Sequence, residues 1–223
     1  MPVATLDHRL LFPDARRARP DGLVAVGGDL SPARLLLAYR SGLFPWTEAP
    51  VTWWSPNPRG IFELGGFHVS RSLARVLRQH RFEITVDRAF PAVMAGCAAP
   101  GPERHGTWIT PGFVAAYTEL HRLGHAHSVE CWSEGRLAGG VYGVAVGGLF
   151  AGESMFHRVP DASKVALFHL IERLRAGGFR LFDIQMVTPI TRQLGAVELD
   201  RNTYLARLAA AVVVAAVFPP QGE

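Results

Sequence analysis

The stretches Gly152-Glu-Ser-Met-Phe156 and Arg180-Leu-Phe-Asp-Ile-Gln185 place charged and amide side chains in otherwise apolar, strand-like sequence. Successive side chains of a strand point to opposite faces, so Leu181, Asp183 and Gln185 share one face of the second stretch. That face offers a carboxylate and an amide about 7 Å apart along the strand, while the other face can pack into a core. Two interpretations stay open: an edge strand with a solvated face, or a strand that carries a polar site.

The bulk composition is that of a globular protein. The 223 residues are 48% hydrophobic and 19% charged, which suits one domain with a sizeable core, or one domain with a small appendage. We expect no signal peptide, because Asp7, His8 and Arg9 interrupt the amino terminus before any apolar run. The longest apolar stretch, 209–218, is about half of what a bilayer span needs, so it is interpreted as a buried helix or strand.

Cysteine usage and net charge indicate which cellular compartment and which partners to expect. Cys97 and Cys131 have no CxxC or zinc-type spacing, so we expect reduced thiols in a cytoplasmic protein. The net charge of +4 permits a polyanionic partner without requiring one. Among 23 basic residues Lys164 is the single lysine. Because an ammonium and a guanidinium are not interchangeable, Lys164 is a candidate functional cation. The alternative is that this lysine is present by chance in an arginine-rich composition.

The first sixty residues form a small, loop-rich unit in this interpretation, which divides the chain into domains 1–60 and 61–223. Ser31 followed by Pro32 predicts the start of a helix that ends near Gly42. The segment 44–58 carries three tryptophans and four prolines, too irregular for a helix and too rich in proline for a central strand. We expect an aromatic loop there, either a lid packed on its own domain or a stacking platform for a base or an apolar ligand.

From Arg59 onward the pattern predicts alternating helices and strands, which indicates an α+β fold. The predicted helices cover 70–81, 87–97 (capped by Asp87), 111–123, 161–176 and a last segment from about residue 201; the predicted strands cover 82–86, 126–132, 136–145, 147–152 and 180–186, and a loop covers 98–104.

Three histidines, His121, His125 and His127, invite comparison with a metal site. Gly124 interrupts the helix that would bring His121 and His125 onto one face, and no cysteine or carboxylate stands at a fitting spacing. A turn whose polar groups are satisfied by backbone hydrogen bonds is therefore favoured over a metal site.

Glu153, Trp46 and Trp108 each have two interpretations. Glu153 lies in an apolar segment, where a carboxylate is costly to bury unless it is paired, so it is either half of a structural ion pair or a counter-charge for a basic group on a substrate. The two tryptophans are flanked by small polar residues and not by an apolar period, so they are candidates for ligand binding as well as for the core.

Taken with three further segments, these stretches resemble the leucyl/phenylalanyl-tRNA–protein transferases of bacteria. The segments are Phe44-Pro-Trp46, Trp53-Trp-Ser-Pro-Asn-Pro-Arg59 and Gly106-Thr-Trp-Ile-Thr110. The resemblance extends from about Phe12 to Leu208 and includes the further stretches 22–35, 123–128, 140–143 and 162–164. No single string is rare, but six or more in the same order are specific. The chain departs from the family pattern at Thr47, where a further aromatic residue is common.

The resemblance implies a small N-terminal α/β subdomain followed by an acetyltransferase-like (GNAT-like) mixed-sheet domain. It implies an aminoacyltransferase without a cofactor that moves Leu or Phe, and weakly Met, from Leu-tRNA or Phe-tRNA. The acceptors would be proteins with an N-terminal Arg or Lys, which are thereby marked for degradation in the cytoplasm, with neither a membrane nor a metal involved.

The resemblance also implies roles for individual residues. Asp183 and Gln185 would orient the acceptor amine and assist its proton loss, with Asp183 either a general base or only the residue that positions Gln185. Glu153 would bind the acceptor. Trp46 and Trp108 would help to hold the aminoacyl-adenosine end of the charged tRNA. Within that aminoacyl-adenosine site, Met155, Phe156, Phe168 and Ile184 are candidates to line an apolar pocket for the transferred side chain, with a plain core role as the alternative. Lys164 stands at the start of a predicted helix, where an anion is favoured, so it is expected to contact a tRNA phosphate.

Two other functions remain as alternatives. One is a small-molecule N-acyltransferase that uses acyl-coenzyme A, although the segment 155–163 is a poor version of its glycine-rich pyrophosphate loop. The other is a tRNA-binding module with a basic surface and stacked aromatic residues, which leaves Glu153, Asp183 and Gln185 without a role.

Overall fold

A computed structural model describes residues 3–100 and 107–220 of the chain. Part of the predicted loop 98–104, and Gly106 of the quoted motif, lie outside the described residues. The helices and strands are β1 Ala4–Leu6, β2 Leu23–Gly27, α1 Pro32–Arg40, β3 Phe44–Glu48, β4 Val51–Trp54, β5 Arg59–Phe62, α2 Arg71–Arg78, β6 Glu83–Val86, α3 Phe90–Ala98, α4 Pro111–Arg122, β7 Ala126–Ser133, β8 Arg136–Val146, β9 Leu149–His157, α5 Ala162–Ala176, β10 Leu181–Gln185, α6 Pro189–Gln193, β11 Ala196–Leu199 and α7 Arg201–Ala211.

The strands form two sheets, which confirms the predicted α+β class. The smaller sheet has the order β1-β2-β4-β3 and the larger one the order β11-β5-β10-β9-β8-β7-β6. Two neighbouring pairs, β1 with β2 and β9 with β10, are parallel, and the other paired strands are antiparallel. The division into domains at residue 60 stays a prediction. Side chains of the small sheet, such as Ala25 and Trp53, belong to the same apolar cluster as side chains of the large sheet.

The large sheet is covered on both faces. One face carries α3 and α4, and its apolar cluster includes Leu149 and Ala151 of β9. The other face carries α5, and its cluster includes Phe150, the residue between those two. The α5 helix begins and ends close to the predicted bounds, 162–176 against 161–176, because its apolar period is unbroken and Gly177 and Gly178 follow it.

The prediction of an aromatic loop over 44–58 is wrong, because β3 and β4 form a hairpin there and β4 lies inside the small sheet. The prolines occupy positions that a sheet tolerates. Pro45 lies on the edge strand β3, Pro50 lies in the turn, and Pro56 and Pro58 follow β4. Proline content argues against a central strand only when the prolines fall inside it.

The strand over 180–186 is also not an edge strand. As β10 it lies between β5 and β9, and both Asp183 and Gln185 are buried. The solvated-face interpretation of this stretch is therefore wrong.

The apolar stretch 209–218 is neither a buried helix nor a strand. The α7 helix ends at Ala211, and the chain then runs as an irregular tail in which Val213 and Val217 are 81% and 71% exposed while Phe218 is buried. Within residues 3–100 and 107–220, no helix combines the length and the apolar character that crossing a membrane requires.

Asp87 does not cap α3 as predicted. Its carboxylate accepts a hydrogen bond from the Ser128 backbone at 2.8 Å and lies 2.7 Å from Nδ1 of His127. The α3 helix begins after Ala89, whose backbone N–H donates to Glu130 instead.

The histidine-rich turn is held by local partners. Nδ1 of His121 lies 2.8 Å from the backbone oxygen of Ala126, and the His121 ring stacks on Phe90. In the described parts of the chain, no group of three or more His, Cys, Asp or Glu side chains is arranged to hold a metal ion. Both cysteines are buried thiols, and burial raises the pKa of Cys131 to about 12.

Candidate active site

A buried ion pair joins the beginning of β5 to the middle of β10. The Arg59 guanidinium donates from Nε to Oδ1 of Asp183 at 2.9 Å and from Nη2 to Oδ2 at 2.6 Å, a bidentate geometry. Each of the two side chains is 1% exposed. Arg59 also donates to the backbone oxygen of Gly42 at 3.1 Å, and its guanidinium lies over the rings of Phe44 and Tyr204.

Asp183 accepts two further hydrogen bonds, so each carboxylate oxygen has two donors. The Tyr204 hydroxyl of α7 donates to Oδ2 at 2.8 Å, and the backbone N–H of Gln185 donates to Oδ1 at 2.9 Å. Burial acts to lower the pKa of Arg59, but the Asp183 carboxylate outweighs it, so the pKa of Arg59 stays raised. The guanidinium of Arg59 is therefore charged, and hydrogen bonds occupy both oxygens of the Asp183 side chain.

Gln185 ends β10 in an unusual backbone conformation. Its φ is +58°, in the left-handed region, and β10 shifts register against β5 between Asp183 and Gln185 so that Ile184 is an extra residue. Such a bulge re-aims the side chain that follows it. The Gln185 amide Nε2 lies 3.4 Å from Oε1 of Glu153 on the neighbouring strand. The structure thus brings together the three polar residues that sequence reasoning had singled out.

Glu153 lies at a second bulge. Tyr142 and Gly143 of β8 pair with Ser154 and Gly152, which leaves Glu153 as the extra residue of β9. Beyond Ala151, β9 continues without further pairing to β10, because the parallel register of the two strands covers only 149–151 and 181–183. The hydrogen-bonded pairing of β9 with β10 therefore ends two residues before Glu153, beside the bulge.

Two buried tyrosines hold the Glu153 carboxylate. The Tyr39 hydroxyl of α1 donates to Oε1 at 2.8 Å, the Tyr117 hydroxyl of α4 donates to Oε2 at 3.3 Å, and the two hydroxyls contact each other. Burial raises the pKa of Glu153 to about 8, with the Asp183 charge adding to the rise and the tyrosine hydrogen bonds and Arg59 opposing it. Glu153 is thus not half of a structural ion pair, and its protonation changes close to neutral pH.

Trp46 and Trp108 are both half-buried against the apolar cluster on the α3 and α4 face, the same face as Glu153. Trp46 packs edge-on to Trp54 with ring centroids 5.3 Å apart, and Trp108 packs edge-on to Phe113 at 5.1 Å. Each ring is thus partly packed and partly exposed.

The four predicted pocket residues do not share one wall. Met155 and Ile184 pack against the cluster on the α5 face, and Phe168 of α5 packs on Phe67 at the same face. Phe156 instead belongs to the cluster on the α3 face, against Gly96. Met155 and Phe156 are successive residues of β9 and therefore point to opposite faces, while the bulge at Glu153 decides which face each of them takes.

Lys164 lies in the first turn of α5 and pairs with Asp161 at 2.9 Å, with 41% of its side chain exposed. The Asp161 side chain does not cap the helix, and Asp161 itself has a left-handed φ of +69°. Lys164 is therefore accessible, although it is not an isolated charge.

Sequence reasoning missed Tyr39, Arg59, Tyr117 and Tyr204 as parts of this site. A buried carboxylate on a strand requires a cation or hydroxyl partners, but the partners come from α1, β5, α4 and α7, which are far apart in the chain. Arg59 lies in a quoted motif, and its position directly before an apolar strand was the one available signal.

Comparison with known proteins identifies the chain. The family model for the leucyl/phenylalanyl-tRNA protein transferase matches residues 61–209, and the model for the N-terminal domain of that family matches residues 28–57. A leucyl/phenylalanyl-tRNA–protein transferase of Syntrophobacter fumaroxidans is 53% identical over 212 residues, 94% of this chain and 91% of that protein. One of Syntrophotalea carbinolica is 50% identical over 226 residues, 100% of this chain and 98% of that protein.

The fold and the site therefore belong to an aminoacyltransferase. The chain is a member of the leucyl/phenylalanyl-tRNA–protein transferase family.

Two solved structures of other proteins share a more distant likeness. L-PGS from Bacillus licheniformis is 12% identical with a TM-score of 0.47, covering 86% of this chain and 71% of that one. A GCN5-related N-acetyltransferase from Kribbella flavida is 13% identical with a TM-score of 0.40, covering 76% and 64%. The assignment to the family rests on the sequence relatives alone.

Proposed function

We propose that this enzyme moves Leu or Phe, and Met more weakly, from aminoacyl-tRNA to the N-terminal Arg or Lys of an acceptor protein. The acceptor is thereby marked for degradation in the bacterial cytoplasm. Membership of the family supports this activity over the acyl-coenzyme A and tRNA-binding alternatives. The observation that carries the proposal is the meeting of the Gln185 amide with the Glu153 carboxylate where β9 and β10 part.

The acceptor amine would bind beside Gln185 and Glu153. The Gln185 side chain presents one amide oxygen and two N–H groups, and it can accept from the amine and donate toward an oxyanion. When ionised, Glu153 supplies the nearby negative charge that a basic N-terminal side chain requires. Their placement on adjacent strands supports a single site for the acceptor.

Asp183 would act through Gln185 and not as a general base. Its carboxylate accepts four hydrogen bonds, from Arg59 twice, Tyr204 and the Gln185 backbone, so no lone pair is left directed at a substrate. A base must reach the proton that it abstracts. Asp183 is thus a positioning residue that holds the backbone of Gln185.

The reaction requires little of the protein beyond alignment. The neutral α-amine attacks the ester carbonyl carbon, a C–N bond forms, the bond to the ribose oxygen breaks, and the amine proton passes to that leaving oxygen. An α-amine has an unperturbed pKa of roughly 7.7–8.0, so an appreciable fraction is neutral at neutral pH. Orientation of the two reactants is the main source of acceleration.

The donor would approach across the face that carries Trp46 and Trp108. The side chain of the transferred amino acid would then pass between β9 and β10, beyond the last paired residues Ala151 and Asp183. It would reach the α5 face, where Met155 and Ile184 lie. An apolar pocket distinguishes similar apolar side chains weakly, which supports some transfer of Met. Phe168 would lie deeper on that face, and Phe156 would have only a packing role.

The substrate assignment can be tested by competition. Purified enzyme would receive Phe-, Leu-, Met-, Val- or Trp-charged tRNA with peptides that begin with Arg, Lys or a neutral residue. We expect transfer of Phe and Leu, weaker transfer of Met, and a requirement for the basic first residue. Comparable use of all five donors, or of neutral-ended peptides, would contradict the proposed specificity.

The use of basic acceptors should increase with pH through the titration of Glu153. Burial holds the pKa of Glu153 at about 8, so the carboxyl is mostly neutral below that pH and charged above it. A cationic side chain binds the charged form, so KM for an Arg-peptide should fall as pH rises through about 8. The measurement is KM for Arg-ended and neutral-ended peptides between about pH 6 and about pH 9.

The control for this pH dependence is Glu153→Gln. The variant should lose about tenfold in kcat/KM for Arg-peptides, within the range for a hydrogen bond to a charged group, and should lose little for neutral-ended peptides. The α-amine ionisation remains in both enzymes, so only the difference between the peptides should disappear. Equal losses of kcat/KM for both peptides would mean that Glu153 does not recognise the positive charge of the acceptor.

Trp46→Ala and Trp108→Ala should each weaken donor binding. A lost stacking contact with a base is worth about 1–3 kcal/mol, and the loss should appear with an aminoacyl-adenosine analogue as well as with tRNA. Trp132→Ala is the matched control, because Trp132 is also half-buried but donates to Thr85 on the β6 side of the sheet. If Trp46 and Trp108 behave like Trp132, with a lower Tm and an unchanged donor KM, both are core residues.

Lys164→Ala should raise the donor KM and reduce its salt dependence. One phosphate contact lowers the slope of log affinity against log salt by about 1 when it is removed, and the acceptor KM should not move. Arg175→Ala, in the last turn of the same helix, is the control, since Arg175 pairs with Glu172 in a similar exposed pair. An unchanged donor KM over a range of salt concentrations would exclude the phosphate contact.

A further inference from the structure

A glutamate at the tip of the N-terminal hairpin contacts the beginning of α4. Glu48 is the last residue of β3, two residues after Trp46. Its carboxylate accepts a hydrogen bond from the Thr110 hydroxyl, and it lies directly over Gly112. The contact therefore joins a strand of the small sheet to a helix that packs on the large sheet.

The surroundings of Glu48 fit a carboxylate. Thr110 caps α4, a helix of 12 residues, through a hydrogen bond from the Phe113 backbone to its hydroxyl oxygen. A negative charge near a helix N-terminus is favourable. Gly112 leaves room for this contact, because its φ is not positive and a Cβ there would meet the Glu48 carboxylate and push it aside.

The contact joins the two segments that carry the proposed donor-binding tryptophans. Trp46 is carried by the hairpin, at a bulge against β4 and packed on Trp54. Trp108 is carried by the segment that enters α4 and packs on Phe113 of that helix. The two rings thus belong to different parts of the fold, and their separation depends on how the hairpin is held against α4.

We propose that Glu48 is a positioning residue that, through Thr110 and Gly112, sets the spacing of Trp46 and Trp108 for the donor. This inference rests on the proposed function, because it gives the two tryptophans their donor-binding role. Glu48 does not touch the reacting atoms, so its loss should affect donor binding and leave the chemical step nearly unchanged.

The contact can be broken from either side. Glu48→Ala removes the carboxylate, and Gly112→Ala displaces it by filling the space over the helix. Each variant should raise the donor KM about tenfold, well below the hundredfold that a 1 Å misplacement can cost, with kcat and the acceptor KM within about twofold. Glu48→Gln keeps an oxygen for Thr110 and should fall between wild type and Glu48→Ala.

The effects of Glu48→Ala and Gly112→Ala on the donor KM should not be additive. If Gly112→Ala acts by displacing Glu48, it has nothing left to displace in the Glu48→Ala background, so the double variant should match Glu48→Ala in donor KM. Glu119→Gln, which breaks the exposed Glu119–Arg122 pair on the same helix, is the control and should match wild type. Full additivity of the two effects would overturn the inference.

Hydrogen exchange separates this inference from the proposed function. Glu48→Ala should increase deuterium uptake in peptides that cover 44–54, and this readout needs no substrate. Faster exchange with an unchanged donor KM, or no change in either, would overturn the positioning role even though the enzyme transfers normally. A wild-type enzyme that fails to transfer Phe or Leu at all would instead overturn the proposed function.

Discussion

Asp183→Ala is expected to destabilise the whole protein by about 3–5 kcal/mol as well as to abolish most transfer. The substitution leaves the Arg59 guanidinium buried without its carboxylate partner, and it removes the acceptor for Tyr204 and for the Gln185 backbone. For a chain of this size the loss corresponds to a fall in Tm on the order of 10 °C. The measurement is thermal unfolding together with transfer of Phe to an Arg-peptide.

A double variant separates stability from function. Replacing both members of a buried ion pair by apolar residues is often neutral for stability, so Arg59→Met with Asp183→Leu should recover most of the lost Tm. It should not recover transfer, because the Gln185 backbone N–H still lacks its acceptor. An Asp183→Ala protein with wild-type Tm would mean that the Arg59–Asp183 pair does not form.

Gln185→Asn is expected to lower kcat by about 10²–10³, the loss seen when one donor to a developing oxyanion is removed. Asparagine is chosen because Gln185 has a φ of +58°, a conformation that asparagine adopts readily and alanine does not. Its shorter side chain cannot reach Glu153, while the backbone hydrogen bond to Asp183 remains. The measurements are kcat, both KM values and Tm.

The stability of Gln185→Asn is the control within that experiment. We expect Tm to change by no more than a few degrees, because the backbone of Gln185 and the Arg59–Asp183 pair are retained. Gln185→Glu is a useful second variant, since it places another carboxylate beside Glu153 and should also be inactive. Normal turnover in Gln185→Asn would exclude the side-chain amide from catalysis.

Much of the fold was predictable from local patterns. The helices α1, α2, α4 and α5 and the hairpin of β7 and β8 were predicted close to their observed bounds, because caps, turn residues and apolar periods agree there. The β3–β4 hairpin was not predicted, because the number of prolines in 44–58 does not exclude a strand, whereas their positions would have to. The short strands β1, β2, β5 and β11 were not predicted either, since each pairs with strands distant in sequence. The five-residue helix α6 was also not predicted.

The candidate site was predictable in its chemistry and not in its arrangement. The residue types of Glu153, Asp183 and Gln185 pointed to a polar site, and the family resemblance gave them roles. The burial of Asp183 could not be predicted from alternation, because it depends on β10 lying between β5 and β9. Its donors were not predictable either, since Arg59 and Tyr204 come from β5 and α7. Tertiary contacts also decide the protonation of Glu153, since its tyrosine partners come from α1 and α4.

The central claim is that this chain transfers an aminoacyl group from tRNA at a site built from Gln185 and Glu153. The most direct test is a side-by-side assay of wild type and Gln185→Asn with radiolabelled Phe-tRNA and a peptide that begins with Arg. We predict labelled peptide from the wild-type enzyme and a loss of about 10²–10³ in rate for the variant at unchanged Tm. No labelled peptide from wild type, or equal labelling by both proteins, would contradict the claim.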